Sequence, residues 1–171
     1  MLLWCFWIYS FLGYLLEKGF AKATGAKLQG RKCFLLLPLC PVYGLGMLAV
    51  LALPEAWRRG VLGIIACGAV ATAVEYAVHW IYDAFLNVRF WDYSKVFGNV
   101  RGRICLPFSL VWGGLTVAAV RWIHPTVEYL AERTVPEVTY LCLVVFAADT
   151  CCSLRFLKVT GDPERLRADR E

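Results

Sequence analysis

The sequence predicts an all-α polytopic membrane protein of five transmembrane helices, and three observations carry that prediction. Hydrophobic residues make up 60% of the 171 residues and charged residues only 18%. A soluble domain is roughly half apolar and about a quarter charged. The apolar residues also fall in runs of roughly 20, the length that crosses a hydrocarbon core of ~30 Å as helix. Polar connections separate these runs, so that residues 1–157 read as one transmembrane domain and 158–171 as a polar cytoplasmic tail.

The first span covers 2–21 and carries Glu17 and Lys18 near its end. No Lys or Arg precedes Lys18, so the basic n-region of a signal peptide is missing and a retained span is expected. After the connection ATGAKLQGRK comes the second span, 34–53. PEAWRRG leads to the third, 61–82, rich in small residues such as Gly63, Cys67, Gly68 and Ala77 that let helices approach closely in lipid. The long connection DAFLNVRFWDYSKVFGNVRGR leads to the fourth span, 104–123. HPTVEYLAERTVPE, read as a loop, leads to the fifth, 138–157.

Of the 18 Lys and Arg residues, 14 lie in the first connection, the third connection and the tail. Basic residues favour the cytoplasmic side, which places the N-terminus outside and the C-terminus in the cytoplasm. The net charge of +5 is therefore a topology signal with some affinity for anionic headgroups. It is no nucleic-acid footprint, because the charges are split among loops. Six of the eight cysteines, Cys40 among them, sit inside spans and are read as small apolar packing residues. Cys33 and Cys105 fall at the cytoplasmic boundary, a reducing side, so no disulfide is expected.

Two stretches repeat each other. PLCPVYG (38–44) lies over PFSLVWG (107–113), and upstream GRKC (30–33) lies over GRIC (102–105), with three fewer residues between cysteine and proline in the second copy. Each copy follows a span with a late glutamate, Glu17 or Glu75. The chain is thus expected to duplicate a two-helix unit, 2–53 and 61–123, as a parallel repeat with a site near the interface of the copies. The packing alternative is that Arg and Pro are favoured at span starts anyway.

The candidate site residues follow. Glu75 lies about 12 Å inside the third span at 1.5 Å per residue, and intramembrane ionisable groups mark functional sites by default. His79 and Asp83 follow at helical spacing and share its face. This stripe either lines a cavity that binds a polar or cationic group or relays a proton, or it merely fixes packing. Arg31 and Arg103 stand near the same mouth, able to pair with Glu17 and Glu75 or to hold an anionic or zwitterionic ligand. Tyr43 and Trp112 are the matching aromatics of the repeat. Asp92 is expected to cap a short interfacial helix in YSKVFGN, with RFWDYS acting as a headgroup anchor or as a segment that closes the site. Asp149, in the fifth span, either pairs with Arg155 or lines the cavity.

No P-loop, H-E-x-x-H or G-x-S-x-G motif occurs, and His79 and His124 are the only histidines. No cofactor, metal site or catalytic constellation is assigned.

YSFLGYLLEKGF, GRKCFLLLPLCPVYGLG, VEYAVHWIYDAFLNVRFWDYS and NVRGRICLPFSLVWGGL together resemble the bacterial putative ABC-transporter type IV family, also called the CmpB family. The resemblance runs over about residues 8–115. It matches the family's glutamates at Glu17 and Glu75, and departs from the family's frequent Asn-Arg-Gly at Gln29, Gly30 and Arg31. It implies a multi-pass protein of the bacterial cytoplasmic membrane acting as a permease. Lacking a nucleotide motif, such a permease-like component needs a separate ATP-binding subunit. The alternatives are a lipid-headgroup-binding protein or enzyme, and a non-catalytic scaffold. Partners are the lipid bilayer and, under any of these readings, a second copy in a homo-oligomer; no nucleic acid is expected.

Overall fold

The computed structural model describes residues 1–24 and 33–163. Its helices are α1 (Leu2–Thr24), α2 (Pro41–Leu51), α3 (Gly60–Ile81), α4 (Leu106–Ala118), α5 (His124–Glu132) and α6 (Pro136–Thr160). α3 runs on through a π-turn, Tyr82–Leu86, and α4 joins α5 through another, Ala119–Ile123. Among the described residues, three stretches are long and apolar enough to cross a membrane: Gly60–Leu86, Leu106–Glu132 and Pro136–Thr160. Their outward faces expose Ile65, Leu110 and Val144, the arrangement lipid rather than water selects. α1 has the length, 23 residues, but Glu17, Lys18 and several Trp and Tyr residues dilute its apolar character.

The second expected span is corrected. Its helix is only Pro41–Leu51, 11 residues, or ~16 Å at 1.5 Å per residue. The preceding residues, 33–40, are not helical. Pro38 and Pro41 disfavour helical geometry in Leu37 and Cys40 before them and lack amide donors themselves. Irregular backbone at membrane depth survives only where protein supplies partners. Here the Cys40 amide donates to the Ser10 carbonyl at 2.8 Å. The Leu36 and Leu37 amides donate to the two Asp149 carboxylate oxygens at 3.0 and 2.9 Å. Cys33 and Cys40 are joined by a disulfide. The expectation that Cys40 is an in-span packing residue and Cys33 a thiol at the reducing boundary is thereby corrected: the bend of this segment brings two cysteines seven apart into bonding range. Asp149 likewise neither pairs with Arg155 nor lines the cavity, but clamps the segment. In the similar stretch GRICLPFSLVWG, with three fewer residues between cysteine and proline, Pro107 sits in the first turn of α4 and no such segment forms.

Two other connections differ from expectation. HPTVEYLAERTVPE is largely helix α5, because Val127 and Ala131 bury against Cys5, Tyr9 and Met47. The third connection holds a two-residue hairpin, β1 (Asn99–Val100) with β2 (Ile104–Cys105). Phe90, Trp91 and Tyr93 are all buried in it, so RFWDYS is not an anchor along the headgroups. These rings have apolar walls and hydrogen-bonding tips, and the helix bundle offers partners for both.

Two tight crossings set the frame. A Cβ on Gly44 would lie 2.5 Å from the Phe6 carbonyl, and one on Gly113 would lie 2.3 Å from the Ile64 carbonyl. α1 therefore packs on α2, and α3 on α4, at backbone contact.

Candidate functional site

The late glutamates sit at these crossings. Tyr43, one residue before Gly44, donates its hydroxyl to Glu17 at 2.5 Å. Trp112, one residue before Gly113, donates its indole N–H to Glu75 at 2.9 Å. The two rings meet edge to face, 5.3 Å between centroids. Glu75 is 3% exposed and also accepts the Tyr93 hydroxyl at 3.2 Å. Burial first, and then the neighbouring Glu75 charge, push the Tyr93 hydroxyl well above its ordinary pKa, so it stays protonated and keeps donating. A buried carboxylate is costly unless its lone pairs are filled, and each such bond to a charged acceptor is worth about 1.5–3 kcal/mol.

Beside this pair lies a cavity of about 640 Å³. α1 and α2 form one wall, and α3, α4 and the turn after α4 form the other. Glu75, Tyr43 and Trp112 line it. Most of the remaining wall is apolar, including Leu12, Leu16, Met47 and Leu115.

The family model for the putative ABC-transporter type IV proteins matches residues 4–154. The chain belongs to the CmpB family. No curated protein and no solved structure matches it.

In this CmpB-family chain the nine candidate residues do not form one site. Glu17, Tyr43, Glu75 and Trp112 gather at the helix crossings. His79 lies one turn beyond Glu75, buried, with Nε2 at 3.0 Å from the Trp91 carbonyl and its ring edge-on to Trp91. Its ring holds the buried connection in place. Asp83, a further turn on, accepts from Arg103 at 2.9 Å and from the more exposed Arg89 at 3.1 Å. Arg103 also reaches the Tyr76 hydroxyl at 3.2 Å. The expected pairing of Arg103 with a late glutamate is thus corrected: Asp83 is the carboxylate within its reach. Asp83 in turn, with the side-chain hydrogen bond as the main cause, holds the Arg103 guanidinium above its usual pKa.

Asp92 is exposed and away from the cavity. Its carboxylate accepts the Ser94 amide at 2.8 Å, which holds it below the usual carboxylate range. It closes a turn and starts no helix, because the chain must bend at once into the hairpin. Arg31 lies outside the described residues.

Sequence reasoning missed the part played by Tyr93. An aromatic motif between spans is compatible with a surface anchor and with a buried plug, and only the reading of RFWDYS as a closing segment pointed toward Tyr93.

Proposed function

We propose that this membrane protein is the permease-like component of a transport system in the bacterial cytoplasmic membrane, driven by a separate ATP-binding subunit. The single observation that carries the reading is the cavity of about 640 Å³ between the α1–α2 pair and the α3–α4 pair, with a buried carboxylate in its wall. A scaffold would pack that space; a transporter keeps it for substrate. The family name supports the same class.

The reading includes a parallel two-helix repeat. Three equivalences support it. Glu17 and Glu75 each accept a hydrogen bond from the aromatic residue of the following helix. The next residue is in each case the crossing glycine. The helix backbone that glycine meets, at Phe6 or Ile64, lies eleven residues before the glutamate in both copies. Rocking of one pair against the other, about the Tyr43–Trp112 contact, would open the cavity alternately, as in other repeat-built transporters. With the N-terminus outside, the first and third connections face the cytoplasm and are the surfaces available to an ATP-binding subunit; on that reducing side the Cys33–Cys40 disulfide persists because both cysteines are buried away from soluble thiols.

The test is isolation of the chain from its native membrane, followed by reconstitution with whatever nucleotide-binding subunit accompanies it. The expected result is ATP hydrolysis that responds to the chain and falls in Glu75→Leu. A chain that purifies without such a subunit, and whose deletion alters no uptake or export, would refute the permease reading.

A further inference from the structure

Resting on that reading, we infer that the cavity takes the single long hydrocarbon chain of an amphiphile, entering sideways from the bilayer, with a hydrogen-bond-accepting head at the Tyr9 end. The shape comes first. The lining on α1 runs from Tyr9 to Ala23, a length of ~21 Å at 1.5 Å per residue. That exceeds the ~15 Å of one leaflet of a ~30 Å core, and a volume of about 640 Å³ drawn out over it is the bore of one extended chain. Leu15, Leu16, Phe20 and Leu115 both line the cavity and remain exposed on the helix surface. The slot therefore opens through an apolar rim towards lipid rather than along a polar path.

The far wall is empty space rather than packed side chain. Gly46 is buried and lines the cavity, yet a Cβ there would meet nothing within 4 Å. The polar end is equally specific. Tyr9 is 4% exposed and lines the cavity, and its buried hydroxyl has no hydrogen-bond partner among the described residues. The His124 ring lies 6.2 Å from that of Tyr9, and its Nδ1 is likewise buried without a partner. Buried polar atoms are nearly always satisfied in native proteins, so an orphaned hydroxyl on a cavity-lining tyrosine points to a ligand that supplies the missing acceptor. A carboxylate and a phosphate ester share this chemistry.

The test uses the full chain in phosphatidylcholine nanodiscs. It is titrated with a fluorescent long-chain fatty acid, and separately with a lysophosphatidic acid of the same chain length. Saturable binding at one site per chain is expected for at least one of them, and the stronger identifies the head. Gly46→Leu fills the slot without meeting protein and should weaken binding at least about tenfold with helicity unchanged. Gly46→Ala, which leaves most of the space, should bind nearly as wild type. Tyr9→Phe should weaken binding roughly three- to tenfold, the loss of one hydrogen bond. Unsaturable partitioning in wild type, or undiminished binding in a folded Gly46→Leu, overturns the inference. Because no ATP-binding subunit enters this measurement, saturable binding without coupled ATP hydrolysis would sink the permease reading alone. Coupled hydrolysis without chain binding would sink the substrate class alone.

Discussion

Gly113 and Gly114 stand side by side on α4, and the structure assigns them opposite responses to the same added methyl group. A Cβ at Gly113 would lie 2.3 Å from the Ile64 carbonyl oxygen and 3.1 Å from its Cγ2. Ordinary contact requires about 3.5 Å, so α4 must retreat from α3 by roughly 1 Å. The Trp112–Glu75 bond, 2.9 Å in the native protein, would stretch to nearly 4 Å, beyond hydrogen-bond range. Overpacking costs about 1–3 kcal/mol, and a lost bond to a buried charged acceptor about 1.5–3 kcal/mol. The better helix propensity of alanine returns up to about 1 kcal/mol. Gly113→Ala should therefore destabilise by about 2–4 kcal/mol. A Cβ at Gly114 meets nothing within 4 Å, and Gly114→Ala should stabilise by up to about 1 kcal/mol. At about 2–4 °C per kcal/mol for a chain of this size, thermal unfolding in mild detergent should separate the two variants by about 10 °C. Gly113→Ala melting at or above wild type would refute the crossing and, with it, the account of how Trp112 reaches Glu75.

Other substitutions probe the remaining contacts. Glu75→Gln should fold nearly as wild type, because its amide oxygen can face Trp112 and its NH₂ the Tyr93 oxygen. Glu75→Leu, which orphans both donors, should lower the melting temperature by several degrees. Equal stability of the two would show that the polar contacts carry no weight. Asp149→Asn keeps only one acceptor oxygen for the Leu36 and Leu37 amides. It should cost about 1–3 kcal/mol and speed hydrogen exchange at those two amides, which an unchanged exchange pattern would contradict. Titration of the unfolded, unreduced chain should find six thiols, those of Cys5, Cys67, Cys105, Cys142, Cys151 and Cys152. Cys33→Ser should raise the count by releasing Cys40, and eight reactive thiols in wild type would exclude the disulfide.

Several features were legible because they follow from local composition. Long apolar runs, the late glutamates and the matched Val-aromatic-Gly triplets all stand in the sequence as written. The second span was misread because hydropathy reports burial, and residues 33–40 are buried without being helical. The π-turn before α5 and the helix itself were missed because their apolar face is narrow and is completed only by Cys5 and Met47 on α1. The sequence reads Glu75, His79 and Asp83 as one helix face, yet Asp83 lies in the π-turn beyond α3 and the three members serve three different partners.

The sequence by itself determined that this chain is a helical membrane protein with a costly carboxylate, Glu75, deep in an apolar span. A lipid solvent imposes length and apolarity segment by segment, and each segment answers that demand alone. Only the tertiary structure decided which group satisfies which. The partners of Asp149 lie 113 and 112 residues away, those of Glu75 lie 37 and 18 away, and no local pattern encodes such pairings. They arise because every buried donor and acceptor must find a mate in a medium without water, and the packing of the helices fixes which mates are within reach.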